Sequence, residues 1–150
     1  MALSNTSTAL WQTVPVSLSL TASDSGDAIR QTAALWDGIA GAQGILPGLV
    51  DAILARESIM STALPGGVAL PHARSSSIAD PLVAVGRLTQ PVDFAGTPVW
   101  LIVAVASPAS QPAVHLELLN CISRVLSDAG NVLRLQNAVS ADEVRALFIR

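Results

Sequence analysis

The sequence predicts an α/β domain built in layers, and three features predict it. Strand-like and helix-like segments alternate along the chain. The run Val99 to Ala106 is apolar without interruption, as a strand buried on both faces is. Glycine, proline and capping residues separate the segments where each should stop. The 150 residues suit one domain, residues 1–150, with a core of its own. With 51% hydrophobic and 13% charged residues, the chain is too apolar for a disordered one.

Met1 to Thr8 is small and polar and reads as a loose end, extending to about residue 10. Val14 to Leu20 alternates apolar and polar residues, as a half-buried strand does. Asp24 offers a helix N-cap, with Asp27 three positions on. Ala28 to Ile39 carries Ile29, Ala33, Trp36 and Ile39 at helical spacing, and Gly41 and Gly44 end it. Leu49 to Ala55 is a second amphipathic helix, entered after Pro47-Gly48. A strand near Val68 to Leu70 stops at Pro71, which cannot donate to a sheet ladder. Ser75 to Pro81 is a loop, Leu82 to Leu88 a strand, and Gln90 to Gly96 a turn region. After the buried strand, Ser107 to Pro112 is a loop. Val114 to Leu126 is a helix whose buried stripe is Leu116, Leu119, Ile122, Val125 and Leu126. Val132 to Asn137 is a short helix, and Ser140 with Glu143 is a capping box before Val144 to Phe148. Trp11, Trp36 and Trp100 read as packing, the last inside the buried strand.

Composition excludes several classes of function. A net charge of -3 with scattered arginines gives no footprint for nucleic acid. A single cysteine, Cys121, allows no internal disulfide and reads as a buried thiol. Two histidines and one cysteine fit no zinc spacing, so no metal is expected. Every cation is an arginine, which rules out a Walker lysine, and no G-x-G-x-x-G is present, so no nucleotide cofactor is expected. No basic start precedes an apolar core at the N-terminus, and Val99 to Ala106 is too short to span a bilayer. The expectation is a soluble, cytoplasmic protein.

The chemistry concentrates around His72. Pro71 places this histidine at a strand end beside a serine-rich loop, with Arg56 and Arg74 near it in sequence. A neutral imidazole nitrogen is nucleophilic near physiological pH. His115 stands near a helix start, where backbone N–H groups favour anions. A lone histidine is more often structural, and His115 could equally be a helix-entry residue bonded to a carbonyl. Arg56 could bind an anion with its planar fork or simply sit on a helix C-terminus. Arg74 could hold an anion, face a partner or be a solvated loop residue. Ser61 and Thr62 could donate hydroxyl hydrogen bonds or form a turn.

These residues fall in a pattern that resembles the fructose/mannitol-type EIIA domain of the bacterial phosphoenolpyruvate-dependent sugar phosphotransferase system. The matching pieces are Arg56-Glu57, Ser61-Thr62, Gly66-Gly67 and Ala69-Leu70-Pro71-His72-Ala73. The match continues through Pro81 to Arg87 and Pro91-Val92-Asp93-Phe94, and resumes at His115-Leu116-Glu117-Leu118-Leu119. It runs from about Leu20 to the C-terminus. Pro65, Ala73 and the uncharged Ser75-Ser76-Ser77 depart from the commonest pattern and bear on loop shape.

The resemblance implies a central mixed β-sheet flanked by helices on both faces. It implies that His72 accepts a phosphoryl group from a phosphorylated HPr protein and passes it to an EIIB domain, working with a membrane sugar permease. It implies that His115 lies beside the acceptor and that Arg56 contacts the site, with Arg74, Ser61 and Thr62 as further phosphate-binding candidates. Some relatives are regulators instead, in which the phosphorylation state of the histidine sets binding to a transporter or a transcription factor.

Overall fold

The computed structural model describes residues 9–39 and 44–149. Residues 9–12 are helical, so the loose end expected to about residue 10 stops short of residue 9, and Met1 to Thr8 and the helix stop at Gly41 lie outside the described residues. The strands are β1 (Val16–Leu20), β2 (Ala63–Leu64), β3 (Val68–Ala69), β4 (His72–Ser75), β5 (Leu82–Phe94) and β6 (Thr97–Pro108). They form one mixed sheet in the order β1-β5-β6-β3-β2, with β4 also paired to β6. β1 runs parallel to β5, β5 antiparallel to β6, and β3 and β4 parallel to β6. The helices are α1 (Ser25–Ala33), α2 (Leu46–Ile59), α3 (Pro112–Leu126), α4 (Ala129–Asn137) and α5 (Ala141–Phe148).

The sheet has a core on each face, and β6 shows why its sequence is apolar throughout. Leu101, Val103 and Val105 point to one face, where α3, α4, α5 and Trp11 pack. Ile102, Ala104 and Ala106 point to the other, under α1 and α2. Successive side chains of a strand alternate between faces, so a sheet covered on both sides selects apolar residues at every position. The residues under α1 and α2 are small, with Ala69, Ala73, Ala84, Ala104 and Ala106 among them. Gly86 completes that seat: a Cβ there would lie 2.5 Å from Thr32 Oγ1 and 2.6 Å from Leu20 Cδ1.

Local signals explain most element ends. Asp24 caps α1 by accepting from the Asp27 N–H at 2.8 Å. Ser140 Oγ accepts from the Glu143 N–H at 3.2 Å, and Glu143 in turn accepts from the Val139 N–H at 3.1 Å. Several expected boundaries moved. The first helix becomes 3-10 from Ala34 to Gly38, which turns Trp36 fully into the core. α2 starts at Leu46 with Pro47 inside its first turn, where a missing N–H costs nothing, and runs to Ile59. Arg56 therefore lies in its last turn. The expected turn region Gln90 to Gly96 is mostly strand: β5 continues to Phe94 past an irregularity between Arg87 and Val92. The turn itself is Ala95-Gly96, with φ of 52° and 96°, as tight hairpins require.

The most consequential correction concerns Pro71. It does not end the sheet. Val68 pairs with Leu101 and His72 pairs with Val105, so the register against β6 is the same on both sides of the proline. Pro71 withholds one donor, yet its carbonyl still accepts from the Val105 N–H at 3.0 Å. His72 thus opens a strand rather than a loop.

Three smaller expectations also change. Leu116 is 61% exposed and Leu118 is buried in its place on the α3 stripe. Trp100 is half-buried, its indole N–H donating to Gly66 O at 2.7 Å, so it covers the Gly66-Gly67 turn. Cys121 is a free thiol of intermediate burial.

Candidate active site

Strand pairing and one helix start bring the two histidines together. β4 lies beside the end of β6, and β6 leads through three loop residues into α3. Ala73 packs in the core under α2. Alternation therefore turns His72 to the opposite face, the side of α3. His115 sits in the first turn of α3. The two rings meet with centroids 5.5 Å apart and planes tilted by 50°. Both line a cleft of about 530 Å3 together with Arg56 and Arg74, with Ala52, Ala73 and Ala109 between them.

Hydrogen bonds fix the state of each ring. His72 Nδ1 lies 2.8 Å from the Leu70 carbonyl oxygen. A carbonyl only accepts, so Nδ1 carries the proton and Nε2 keeps its lone pair. His115 is 8% exposed, and its Nδ1 lies 2.7 Å from the hydroxyl of Ser107, which is fully buried. Burial, first, and then electrostatic repulsion from His72 and Arg74 hold the His115 pKa below the ordinary 6.5. His115 is therefore neutral at physiological pH.

The cations frame the cleft without carboxylate partners. Arg56 is half-buried and donates from Nη1 to the Met60 carbonyl at 2.9 Å, which ties it to the end of its own helix. Arg74 is exposed, opposite Ser107 in the β4–β6 ladder. The Arg145–Asp142 pair is the single ion pair resolved among the described residues, so neither cleft arginine is spent on an acid there. The α3 start adds no side-chain cap at Gln111. Pro112 has no N–H and that of His115 donates to the Gln111 carbonyl at 3.2 Å, which leaves the Ala113 and Val114 N–H groups of the first turn to meet an anion. Among the described residues no three of His, Cys, Asp and Glu gather as a metal-ligand set.

Ser61 and Thr62 are placed elsewhere. Thr62 donates through Oγ1 to Glu57 Oε1 at 2.7 Å, and its N–H donates to Glu57 Oε2 at 2.8 Å. Thr62 Oγ1 also accepts from the Leu70 N–H at 3.2 Å. Ser61 Oγ accepts from the Ala63 N–H at 3.2 Å, and Ser61 lines a separate cavity of about 290 Å3 with Glu57 and Ser58. Neither lines the histidine cleft. Three participants escaped the sequence reading: the Leu70 carbonyl, Glu57 and Ser107. Only extension of the β6 alternation beyond Val105 could have signalled Ser107, because it places residue 107 on the α3 side.

Comparison with known proteins gives a consistent picture. Residues 12–150 match the family model described as phosphoenolpyruvate-dependent sugar phosphotransferase system, EIIA 2. A nitrogen regulatory protein of Pseudomonas aeruginosa is 36% identical over 100 residues, covering 65% of each chain. A multiphosphoryl transfer protein of Salmonella typhimurium is 35% identical over 127 residues, covering 82% of this chain and 32% of that protein. The chain thus spans about two thirds of one relative and about a third of the other. Among solved structures, the nitrogen regulatory protein IIA-Ntr of Neisseria meningitidis superposes with a TM-score of 0.83 at 26% identity, covering 93% of this chain and 99% of that one.

Proposed function

The chain belongs to the EIIA 2 family of the phosphoenolpyruvate-dependent sugar phosphotransferase system, and from that premise we propose that it is a phosphocarrier acting through His72. The observation that carries the reading is the 2.8 Å bond from His72 Nδ1 to the Leu70 carbonyl. It leaves Nε2 as the nucleophile in a cleft lined by Arg56, Arg74 and His115.

The chemistry follows from that placement. The donor is a phosphorylated HPr-like protein. The Nε2 lone pair forms the new N–P bond as the donor's P–N bond breaks, and that electron pair returns to the donor nitrogen. Nδ1 keeps its proton against Leu70 throughout, so the step needs no base. The reverse attack by an EIIB component removes the group again, for sugar uptake and phosphorylation beside a membrane permease. A phosphoramidate suits this relay because, unlike a phosphate ester, it keeps a high transfer potential. Phosphoryl transfer depends mainly on positioning and charge stabilisation. Arg56 supplies a planar fork for phosphoryl oxygens, Arg74 adds charge at the mouth, and the α3 start adds N–H donors. Leu116 beside His115, and Ile59 and Met60 at the end of the Arg56 helix, are exposed apolar side chains. They suit brief docking of both partner proteins at one imidazole. Thr62 lies behind the site, bonded to Glu57 and the Leu70 N–H, and Ser61 lines a separate cavity.

The nitrogen regulatory relatives favour a second reading, in which the phosphorylation state of His72 controls binding to a transporter or regulator. Charge added in a small apolar setting would act as the switch. One experiment separates the readings. The protein is incubated with phosphoenolpyruvate, enzyme I and HPr, followed by intact mass, and then offered EIIB. One acid-labile phosphoryl group that passes to EIIB supports the carrier. A group that stays, with a partner captured by only one of the phosphorylated and His72→Ala forms, supports the regulator. No phosphorylation of folded protein by a compatible HPr removes both.

A further inference from the structure

We propose that Ser107 is a positioning residue for phosphoryl transfer: its hydroxyl donates to His115 Nδ1 and so sets the His115 proton on Nε2, facing the phosphoryl site. The inference deepens the phosphocarrier reading and rests on it.

The argument is an accounting of one hydrogen. A serine hydroxyl has one hydrogen to donate and two lone pairs to accept with. Ser107 is fully buried near the end of β6, out of reach of solvent. Among the described residues its hydroxyl has one hydrogen-bond partner, His115 Nδ1 at 2.7 Å. If Nδ1 held the proton, the ring would donate to the serine oxygen, and the hydroxyl hydrogen would be buried with nowhere to go. Native structures avoid that arrangement. The hydroxyl therefore donates, Nδ1 accepts, and the single proton of the neutral ring sits on Nε2. The depressed His115 pKa agrees, since a protonated ring would need an acceptor at both nitrogens.

The consequence lies in the pairing of the rings. The Leu70 carbonyl forces the proton of His72 onto Nδ1. The Ser107 hydroxyl forces that of His115 onto Nε2. The two imidazoles, 5.5 Å apart, hold opposite tautomers. One presents a lone pair to phosphorus and the other presents an N–H to the phosphoryl oxygens. With the other tautomer, His115 would turn a lone pair toward an anion. A structural serine would merely fill space beside the ring, whereas this one selects which nitrogen is the donor.

Nitrogen-15 NMR of the histidine rings in unphosphorylated protein reads the assignment without any phosphotransfer. Wild type should report His115 as the Nε2–H tautomer and His72 as Nδ1–H. Ser107→Ala should let His115 populate both tautomers while His72 stays unchanged. It should also slow phosphorylation of His72 by HPr about fivefold to tenfold. Ser107→Thr keeps the hydroxyl and should hold the wild-type His115 signature. An Nδ1–H signature for His115 in wild type would overturn the proposal with no variant needed, and so would a Ser107→Ala protein with both tautomer and rate unchanged. If wild type accepts no phosphoryl group, the phosphocarrier reading falls, while the spectrum still decides the tautomer.

Discussion

His72 and His115 face each other across 5.5 Å with opposite kinds of hydrogen-bond partner on their Nδ1 atoms. A carbonyl that can only accept holds one, and a buried hydroxyl holds the other. Histidine is the one side chain whose proton can be set on either of two nitrogens by a neighbour. Two identical side chains are thus held in different hydrogen-bonding states by atoms outside the cleft, and the phosphocarrier reading makes them nucleophile and donor.

Replacement of His72 by alanine should abolish acid-labile phosphorylation while leaving the fold intact. The ring is half-buried at the start of β4, and its one side-chain hydrogen bond is to a carbonyl that lies beside it. Loss of that bond should cost about 1 kcal/mol. Intact mass after incubation with HPr and a thermal melt check both halves. A phosphorylated His72→Ala protein would move the acceptor elsewhere, and a collapsed melt would make His72 a structural residue.

The depressed pKa of His115 gives a signed pH dependence. The neutral ring is favoured in the folded state, by burial first and then by repulsion from His72 and Arg74. Between the folded pKa and the ordinary 6.5, the unfolded chain binds more protons, so stability falls as pH drops through that window. Above 6.5 this group contributes no slope. Melting curves of wild type and His115→Gln between about pH 5 and about pH 8 isolate the effect, because carboxylate contributions are common to both. The wild type should lose melting temperature more steeply on the acid side. Parallel curves would mean that His115 is not held neutral by its surroundings.

Arg56 should prove worth more to transfer than to folding. Nη1 is committed to the Met60 carbonyl, while the side chain still lines the cleft. Arg56→Ala should slow phosphorylation of His72 by about 10-fold to 1000-fold, the range for removing a group that stabilises transition-state charge. Arg56→Lys should recover only part of this, because an ammonium lacks the planar fork. Stability should fall by about 1 kcal/mol at most in either variant. Rates from quenched reactions, set beside denaturant melts, separate the two contributions. Equal rates for Arg56→Lys and wild type would argue for simple charge.

The sequence made the layered fold legible because its periodicities are strong. The uninterrupted apolar run of β6 and the caps at Asp24 and Ser140 each state a local preference that tertiary packing kept. Pro71 does follow the end of β3, but pairing with β6 resumes at His72, because the proline carbonyl still accepts from the Val105 N–H. Leu116 misled because its spacing to Leu119 fits a helical stripe as well as the buried stripe through Leu118 and Ile122 does. The histidines were legible as a pair through motif and helix-start chemistry. The groups that set their tautomers were not. One is a backbone carbonyl with no sequence signature, and the other a serine that reads as loop.

Thr62 shows how the same residue can serve a site without touching it. Glu57 holds the Thr62 N–H and hydroxyl, Thr62 Oγ1 accepts from the Leu70 N–H, and the Leu70 carbonyl holds His72. Thr62→Val keeps the shape but removes the middle of that chain. It leaves Glu57 Oε1 without its hydroxyl partner and the Leu70 N–H with only the Thr62 carbonyl at 3.4 Å. Stability should fall by about 1–3 kcal/mol, the range for stranding a charged acceptor and weakening a buried donor. The phosphorylation rate should fall too, in step with a broadened His72 tautomer signal in NMR. A phosphate-binding role for Thr62 makes the contrary forecast: the rate falls while the melt and the His72 tautomer stay as in wild type. The two measurements on one variant therefore decide whether Thr62 holds the nucleophile or the phosphoryl group.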